Sequence, residues 1–382
     1  MKLDKLGILV GLLAVAGALL PFAMSRPTRI AAGEARHLFE ALPTTASAAV
    51  AVLVLAGTVV SLLRLSTLVR LGAGLAVLTL LLVAIGWSAI FLVPPDNTFA
   101  RVGPGGGFWV WLLAFALLVT DALARLRPRP WARIGLLALV GAGFALLLMS
   151  GVWSDLSVLK EYGTRAPAFW QEGRTHLWLA FGSVAVAAVA GIPLGILCYK
   201  VEPLRAAVLN VLNIIQTIPS IALFGLLIAP LAWVAATVPG ASAIGISGIG
   251  AAPAFIALFA YSLLPVVSNT VVGLLGVSPP AVEAAKGMGM TGWQRLVGVE
   301  LPLAFPVILT GIRIVLVQNI GLATIAALIG GGGFGVFVFQ GIGQTAMDLV
   351  LLGAVPTVAL AFAAAVVLDA LVDMTSRGGR AA

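Results

Sequence analysis

The side chains in this sequence that could do chemistry are few, and most stand alone. His37 and His176 are far apart in sequence, and the single cysteine, Cys198, sits inside an apolar run. That spacing excludes a disulfide framework or a cysteine cluster and argues against a histidine metal site, so no metal ligands are assigned. An intramembrane enzyme would need paired Asp, or Ser with Lys or His, within the apolar runs; no such set is found and no catalytic residue is assigned. One segment does carry a pattern. It runs Pro279-Pro280-Ala281-Val282-Glu283-Ala284-Ala285-Lys286-Gly287-Met288-Gly289 and continues to Val299-Glu300-Leu301-Pro302. Prolines suit a helix start, where a missing N–H costs little. Glu283 in the first turn complements the helix dipole, and Gly289 can end the helix in a left-handed conformation. A second short helix, Thr291 to Val299, leads to Leu301-Pro302, which opens the next apolar run. The pair reads as a rigid knob, with Ala284 and Ala285 leaving room for a partner.

The elements that hold this knob are set by composition. Of 382 residues, 61% are hydrophobic and 9% charged, against roughly 25% charged in a soluble domain. Apolar runs of about 20 residues recur from end to end, each long enough to span hydrocarbon as a helix. They are continuously apolar, as at Leu71 to Val93, which rejects the alternating pattern of a β-barrel. The fold class is therefore all-α: a polytopic membrane protein of about ten transmembrane helices. The spans are Leu6–Met24, Thr44–Leu63, Leu71–Val93, Phe108–Ala124, Ile134–Trp153, Leu177–Tyr199, Ala206–Val234, Ala251–Gly273, Leu303–Ile329 and Ala346–Ala370. The net charge of +8 is spread in small groups between the runs, so it reports membrane orientation rather than nucleic acid. With the N-terminus placed inside, fourteen of the 22 basic residues fall on inner loops and tails, seven on outer loops, and Arg313 within a span. The densest inner group runs from Arg125 to Arg133. Both termini are accordingly expected in the cytoplasm. The first span can also be read as a signal peptide cut near Ala23-Met24-Ser25.

The organisation expected is an accessory region of five helices (1–153), an external loop (154–176), a five-span core (177–375) with its cytoplasmic loop at 279–302, and a cytoplasmic tail (376–382). No repeat relates the halves, so an inverted-repeat transporter is not indicated. Within the core, Arg313 is ten residues into its span, about 15 Å deep, where a charge must face a polar interior or cavity. It is either bonded to carbonyls, Gln318 or Asn319, or it lines a solute path. Asp369 is the obvious acid to pair with it but sits near the inner end of the last span. The candidate path residues are Arg313, Gln216, Pro219 and Asn319. The run Gly330-Gly331-Gly332-Gly333-Phe334-Gly335 lacks the Lys-Ser/Thr of a phosphate-binding loop and reads as non-helical backbone beside the path. Most of the nine tryptophans fall near span ends, as an aromatic belt would.

The spacing of Glu283, Ala284, Ala285, Gly289, Val299, Leu301 and Pro302 resembles the coupling loop of binding-protein-dependent ABC importer permeases, with Val299 where the family usually has Ile. Asn213 to Ser220, containing Gln216-Thr217-Ile218-Pro219-Ser220, and the Gly-rich run Ile325 to Gly335 are similar to segments of glycine betaine and choline permeases. The resemblance covers about 177–375; the five preceding spans resemble the longer permease of a Yeh-type osmoprotectant importer. It implies an ABC type I importer permease fold in the bacterial inner membrane and solute movement by alternating access. It also implies partner ATPase subunits that hold ATP and magnesium, a solute-binding protein, and a second permease copy or a shorter paralogue. No cofactor is expected on this chain, and no nucleic-acid partner. The alternatives are an importer for another small solute such as an amino acid, or a solute channel, which would have no use for a coupling loop.

Overall fold

The computed structural model describes residues 4–28, 31–94, 97 and 99–378. Lys2, Arg29 and Arg380 of the charge tally, and 379–382 of the tail, lie outside the described residues. The described chain divides into two compact units. Unit 1 holds 4–129 and 138–164; unit 2 holds 130–137 and 165–378.

Unit 1 opens with α1 (Lys5–Leu19), followed by strands β1 (Ala23–Arg26) and β2 (Glu34–Arg36) and a single turn, α2 (Leu38–Ala41). Three long helices follow: α3 (Thr44–Leu62), α4 (Thr67–Leu92) and, after β3 (Arg101–Pro104), α5 (Gly106–Leu126). Helix α6 (Pro130–Met149) starts in unit 2 and ends here. The side-chain oxygens at two helix starts satisfy free N–H groups: Asp4 accepts from Leu6 and Gly7, and Ser66 from Val69. α1 packs on α3 and α5, and α4 on both α3 and α5. Phe115, Leu118, Leu81 and Ile85 form the buried centre. The three strands make an antiparallel sheet in the order β2-β1-β3. The all-α expectation missed this sheet because strands of three or four residues leave no period-two pattern to read. Ala23, Met24 and Ser25, the candidate cleavage point, lie in its central strand, so cutting there would sever the sheet and detach α1. Trp111, expected in an interfacial belt, is instead buried in the core and donates to the Ala14 carbonyl at 2.8 Å.

Unit 2 is built on α7 (Ser157–Leu177, entering from unit 1), α8 (Ser183–Lys200), α9 (Glu202–Thr217), α10 (Ser220–Thr237) and α11 (Ala251–Leu275). The knob helices α12 (Pro279–Gly287) and α13 (Gly292–Arg295) follow, then α14 (Leu301–Ile325), α15 (Gly335–Gly343) and α16 (Met347–Gly378). α8 packs on α11, α11 on α14 and α14 on α16, around Leu179, Val184, Leu258, Val315 and Ile320.

Three expectations change here. The stretch 154–176, read as a loop, is helical from Ser157; a π turn, Trp178–Gly182, joins it to α8, giving one 44-residue helix. Its polar residues mark an amphipathic helix, which apolar-run counting does not register. The span read as Ala206–Val234 is two helices, broken at Ile218-Pro219 because proline cannot continue α9's hydrogen bonding. Leu301-Pro302 does not open a new helix but lies inside a continuous one, Gly292–Ile329. Among the described residues, nine helices are long and apolar enough to cross a membrane, and α1 is a shorter apolar helix of 15 residues. All ten expected spans thus have a helical counterpart.

Candidate functional site

The knob is closed at both of its internal ends by hydrogen bonds. α12 begins after Ser278 with Pro279 and Pro280 in its first turn. At its end Met290 N–H donates to the Ala285 carbonyl (3.1 Å) and Gly289 N–H to the Lys286 carbonyl (2.9 Å). This is the paired closure of a left-handed C-cap, with Gly289 at φ +79°. Two residues later Thr291 caps α13. Its Oγ1 accepts from Gln294 N–H (3.3 Å), and Gln294 Oε1 accepts from Thr291 N–H (2.8 Å), a reciprocal capping box. Only Gly289 and Met290 separate the two caps, so the angle between α12 and α13 has little freedom. A π turn, Leu296–Glu300, then feeds α14. Leu301 N–H reaches five residues back to the Leu296 carbonyl, which is how the helix accommodates Pro302 without a break. Glu300, 2% exposed, holds Arg295 Nε at 2.7 Å under the knob.

The surface so presented differs from the expected one at Ala285. That residue is 1% exposed and faces the chain's own packing, while Glu283 and Ala284 are exposed. Alanine at 285 is small to seat α12 on its own chain, not to admit a partner. The exposed large apolar residues are Met288 (73%), Trp293 (69%) and Val297 (46%).

Of the four candidate path residues, Asn319 and Gln216 both bond to the 258–262 stretch of α11, while Arg313 is held by an ion pair. Asn319 is fully buried: its Nδ2 donates to Ser183 Oγ (2.9 Å) and Ser262 Oγ (2.8 Å), knotting α14 to α8 and α11. It ties three helices together, while its Oδ1 is buried without a hydrogen-bond partner among the described residues. Gln216 Nε2 donates to the Tyr261 carbonyl at 2.7 Å, and Tyr261 hydroxyl donates to the Ile218 carbonyl. These two bonds fasten the α9–α10 break to α11, and Pro219, exposed, caps α10. Arg313 pairs with Asp369, not with Gln318, Asn319 or carbonyls. Asp369 reaches it because α16 continues helical to Gly378, which puts Asp369 well inside the helix rather than at its end. Arg133, at the start of α6, joins the same group at 2.8 Å from both Asp369 and Asp373.

The Gly-rich run is non-helical, as expected. Gly330, Gly332 and Gly333 have φ of +75°, +77° and +87°. Gly331 N–H donates to the Ala326 carbonyl (2.8 Å), and Gly335 opens α15. Glu172 of α7 accepts from Gly333 N–H at 2.6 Å, a charge-assisted bond. A Cβ on Gly332 would lie 2.9 Å from that carboxylate oxygen. One turn on, His176 is fully buried against the Phe334 ring, centroids 5.1 Å apart.

Two family models match the chain. Residues 191–379 fit the binding-protein-dependent transport system inner membrane component, and residues 3–159 fit the N-terminal domain of ABC transporter permease YehY. The osmoprotectant import permease protein OsmW of Salmonella typhimurium is 45% identical over 194 residues, 51% of this chain and 83% of the relative. The chain belongs to the binding-protein-dependent transport permeases. The glycine betaine/carnitine/choline transport system permease protein OpuCB of Bacillus subtilis is 36% identical over 202 residues, 53% of this chain and 84% of the relative. A solved structure of the MetNI methionine ABC transporter, in inward-facing conformations, aligns with 55% of this chain and 95% of its own at 23% identity and a TM-score of 0.47.

In this multi-pass permease, a transport component rather than an enzyme, the residues that sequence reading missed are Glu172, His176, Glu300 and Tyr261. Glu172 and His176 lay in a segment read as loop, and their i, i+4 spacing was the signal available. The Arg295–Glu300 pair is five residues apart, a spacing that meets across a π turn rather than a regular helix.

Proposed function

We propose that this permease imports glycine betaine, choline or a related quaternary ammonium osmoprotectant across the bacterial inner membrane by alternating access. Separate ATPase subunits, which hold ATP and magnesium, dock on the knob. The observation that carries the mechanism is the doubly capped knob: a stiff element between two spanning helices transmits a push, whereas a flexible loop would absorb it. Glu283, Ala284, Met288 and Trp293 form the docking face, with Gly289 and the π turn ahead of Leu301–Pro302 setting its angle. The solute class rests on what the relatives' names state they carry. A solute-binding protein delivers the solute on the opposite face, and the second permease position is filled by another copy or a shorter paralogue. The knob end is cytoplasmic, as are both termini and the 125–133 group.

The test is uptake of labelled glycine betaine and choline by proteoliposomes containing the permease, ATPase and binding protein. Uptake is expected only with ATP and all subunits; uptake by the permease alone would make it a channel. In the same vesicles Ala284→Trp should abolish ATPase docking without lowering the thermal midpoint, because a Trp there points outward. Gly289→Val should weaken coupling by straining a φ > 0 residue, about 1–3 kcal/mol. Wild-type uptake by both variants would sink the coupling role. In whole cells, an Arg129→Cys variant should resist an impermeant thiol reagent added outside; labelling would invert the topology.

A further inference from the structure

Unit 1 gathers four helix ends at one place: the start of α1, the end of α3, the start of α4 and the end of α5. Asp4 N–H donates to the Leu62 carbonyl at 3.3 Å, which draws the first two together. Around them lies a cavity of about 550 Å³ lined by Asp4, Lys5, Arg64, Arg70 and Arg125, with Leu6 and Leu65. Four cations thus face one lining carboxylate, with Asp121 behind as the second acid within reach. Both oxygens of Asp4 are already used. Oδ1 accepts from Leu6 and Gly7 N–H, and Oδ2 takes Arg70 (2.8 Å) and Arg125 (3.3 Å). Arg70 is 2% exposed, yet its Nε has no hydrogen-bond partner. Lys5 and Arg64 are exposed and, among the described residues, meet no acid. Among its charged side chains the cavity therefore holds more donors than acceptors, and one of the unpartnered donors is buried, where leaving it unmade is costly.

We propose that this cavity binds a phosphate-bearing anion, with Arg70 and Arg125 as its floor and Lys5 and Arg64 closing over it. Phosphate matches the donor set because several acceptor oxygens on one centre can take a guanidinium fork and an ammonium together. The cavity stands at the ends of membrane-spanning helices, the depth of lipid headgroups, so the phosphate can come from an anionic lipid or from a soluble ester. The site does not depend on the solute assignment above.

The test uses the purified full-length chain at fixed ionic strength. Retention of phosphatidylglycerol against phosphatidylcholine is counted by native mass spectrometry, and binding of radiolabelled inorganic phosphate by equilibrium dialysis. Comparison is made with a Lys5→Gln/Arg64→Gln double variant and with Arg127→Gln/Arg129→Gln, which removes the same charge outside the cavity. The two exposed cavity cations can be neutralised without touching the Asp4–Arg70 pair, so the first variant should keep its thermal midpoint. Wild type and the Arg127/Arg129 variant should bind about thirtyfold more tightly than the Lys5/Arg64 variant, the worth of two basic residues at a phosphate. A difference seen with phosphatidylglycerol, undisplaced by millimolar glycerol 3-phosphate, identifies a lipid; one seen with inorganic phosphate identifies a soluble ligand. Equal binding by all three proteins, or equal loss in both variants, overturns the site. If the double variant fails to fold, Arg64→Glu alone should weaken binding at least as far, and unchanged binding there overturns it too.

Discussion

The two units are made of similar apolar helices but treat proline in opposite ways. Among the described residues of unit 1, α1, α3, α4 and α5 carry no interior proline, and the part of α6 that lies there has none. In unit 2, α7, α8, α10, α11, α14 and α16 each carry one, at Pro167, Pro193, Pro230, Pro265, Pro306 and Pro356. Both π turns lie there, as do the α9–α10 break and the Gly-rich run. Each interior proline removes a backbone hydrogen bond and leaves a place where a helix can bend. The charges do not divide this way, since unit 2 also holds a buried pair, Arg295–Glu300, at 25% and 3% exposed. In unit 1 Arg70 is 2% exposed within a group of two acids and two arginines, of which Arg125 is 48% exposed. In unit 2 the Arg313–Asp369 pair is 36% and 41% exposed. By proline placement, then, unit 2 has places to bend that unit 1 lacks among the described residues.

The largest effect that could break this comparison is at Asp4. Asp4→Asn leaves the buried Arg70 guanidinium facing only Asp121, at 3.5 Å. Breaking a buried pair from one side costs about 3–5 kcal/mol, so unit 1 should unfold well before unit 2, read as early proteolysis of its loops on heating. Uptake per folded molecule should be unchanged. An unaltered melting profile would mean the group contributes little and unit 1 is no stiffer than its neighbour.

Arg313→Gln sharpens the comparison from the other side. A half-exposed pair is screened by solvent, so its loss should cost about 1 kcal/mol or less. If Arg313 lines the path, uptake should fall while assembly and thermal midpoint hold. If yield and midpoint fall together, the pair is structural and unit 2 depends on it as unit 1 depends on Asp4. A fully active, stable variant would refute both roles.

How much of this was legible in advance depended on range. The spans, the knob and the left-handed Gly289 are local features, readable from apolar runs and turn chemistry. The fate of Ala285 was not readable, because whether a small residue faces a partner or its own chain is decided by the packing of α12 on the π turn that follows. The tie made by Asn319 is not readable either, because its two serine partners are 136 and 57 residues away in sequence. Asp369 was discounted as Arg313's partner because the apolar run ends near it, whereas the helix continues through its charged tail. In each case the deciding contact was non-local or lay beyond the apolar pattern.

The smallest effect is one of pH, and it isolates the Asp4 group. Asp4 stands before the first turn of α1, and the hydrogen bond from Arg70, with help from Gly7 and Leu6 N–H against the opposing effect of burial, lowers its carboxyl from 3.8 to about 2. A depressed carboxyl favours the folded state only while it is ionised, so its contribution is complete above the unfolded value. It then declines as pH falls from about 4 through 2. Between pH 5 and 8 this residue should leave the stability of unit 1 flat; below pH 4 the melting temperature should slope downward. In Asp4→Asn the titrating group is gone, so the difference between the two melting curves should shrink over that same interval. Proteins that respond identically to acid, with a constant offset from pH 5 to 2, would show that Asp4 is not held ionised by Arg70, and the buried guanidinium would have to be balanced by Asp121 alone.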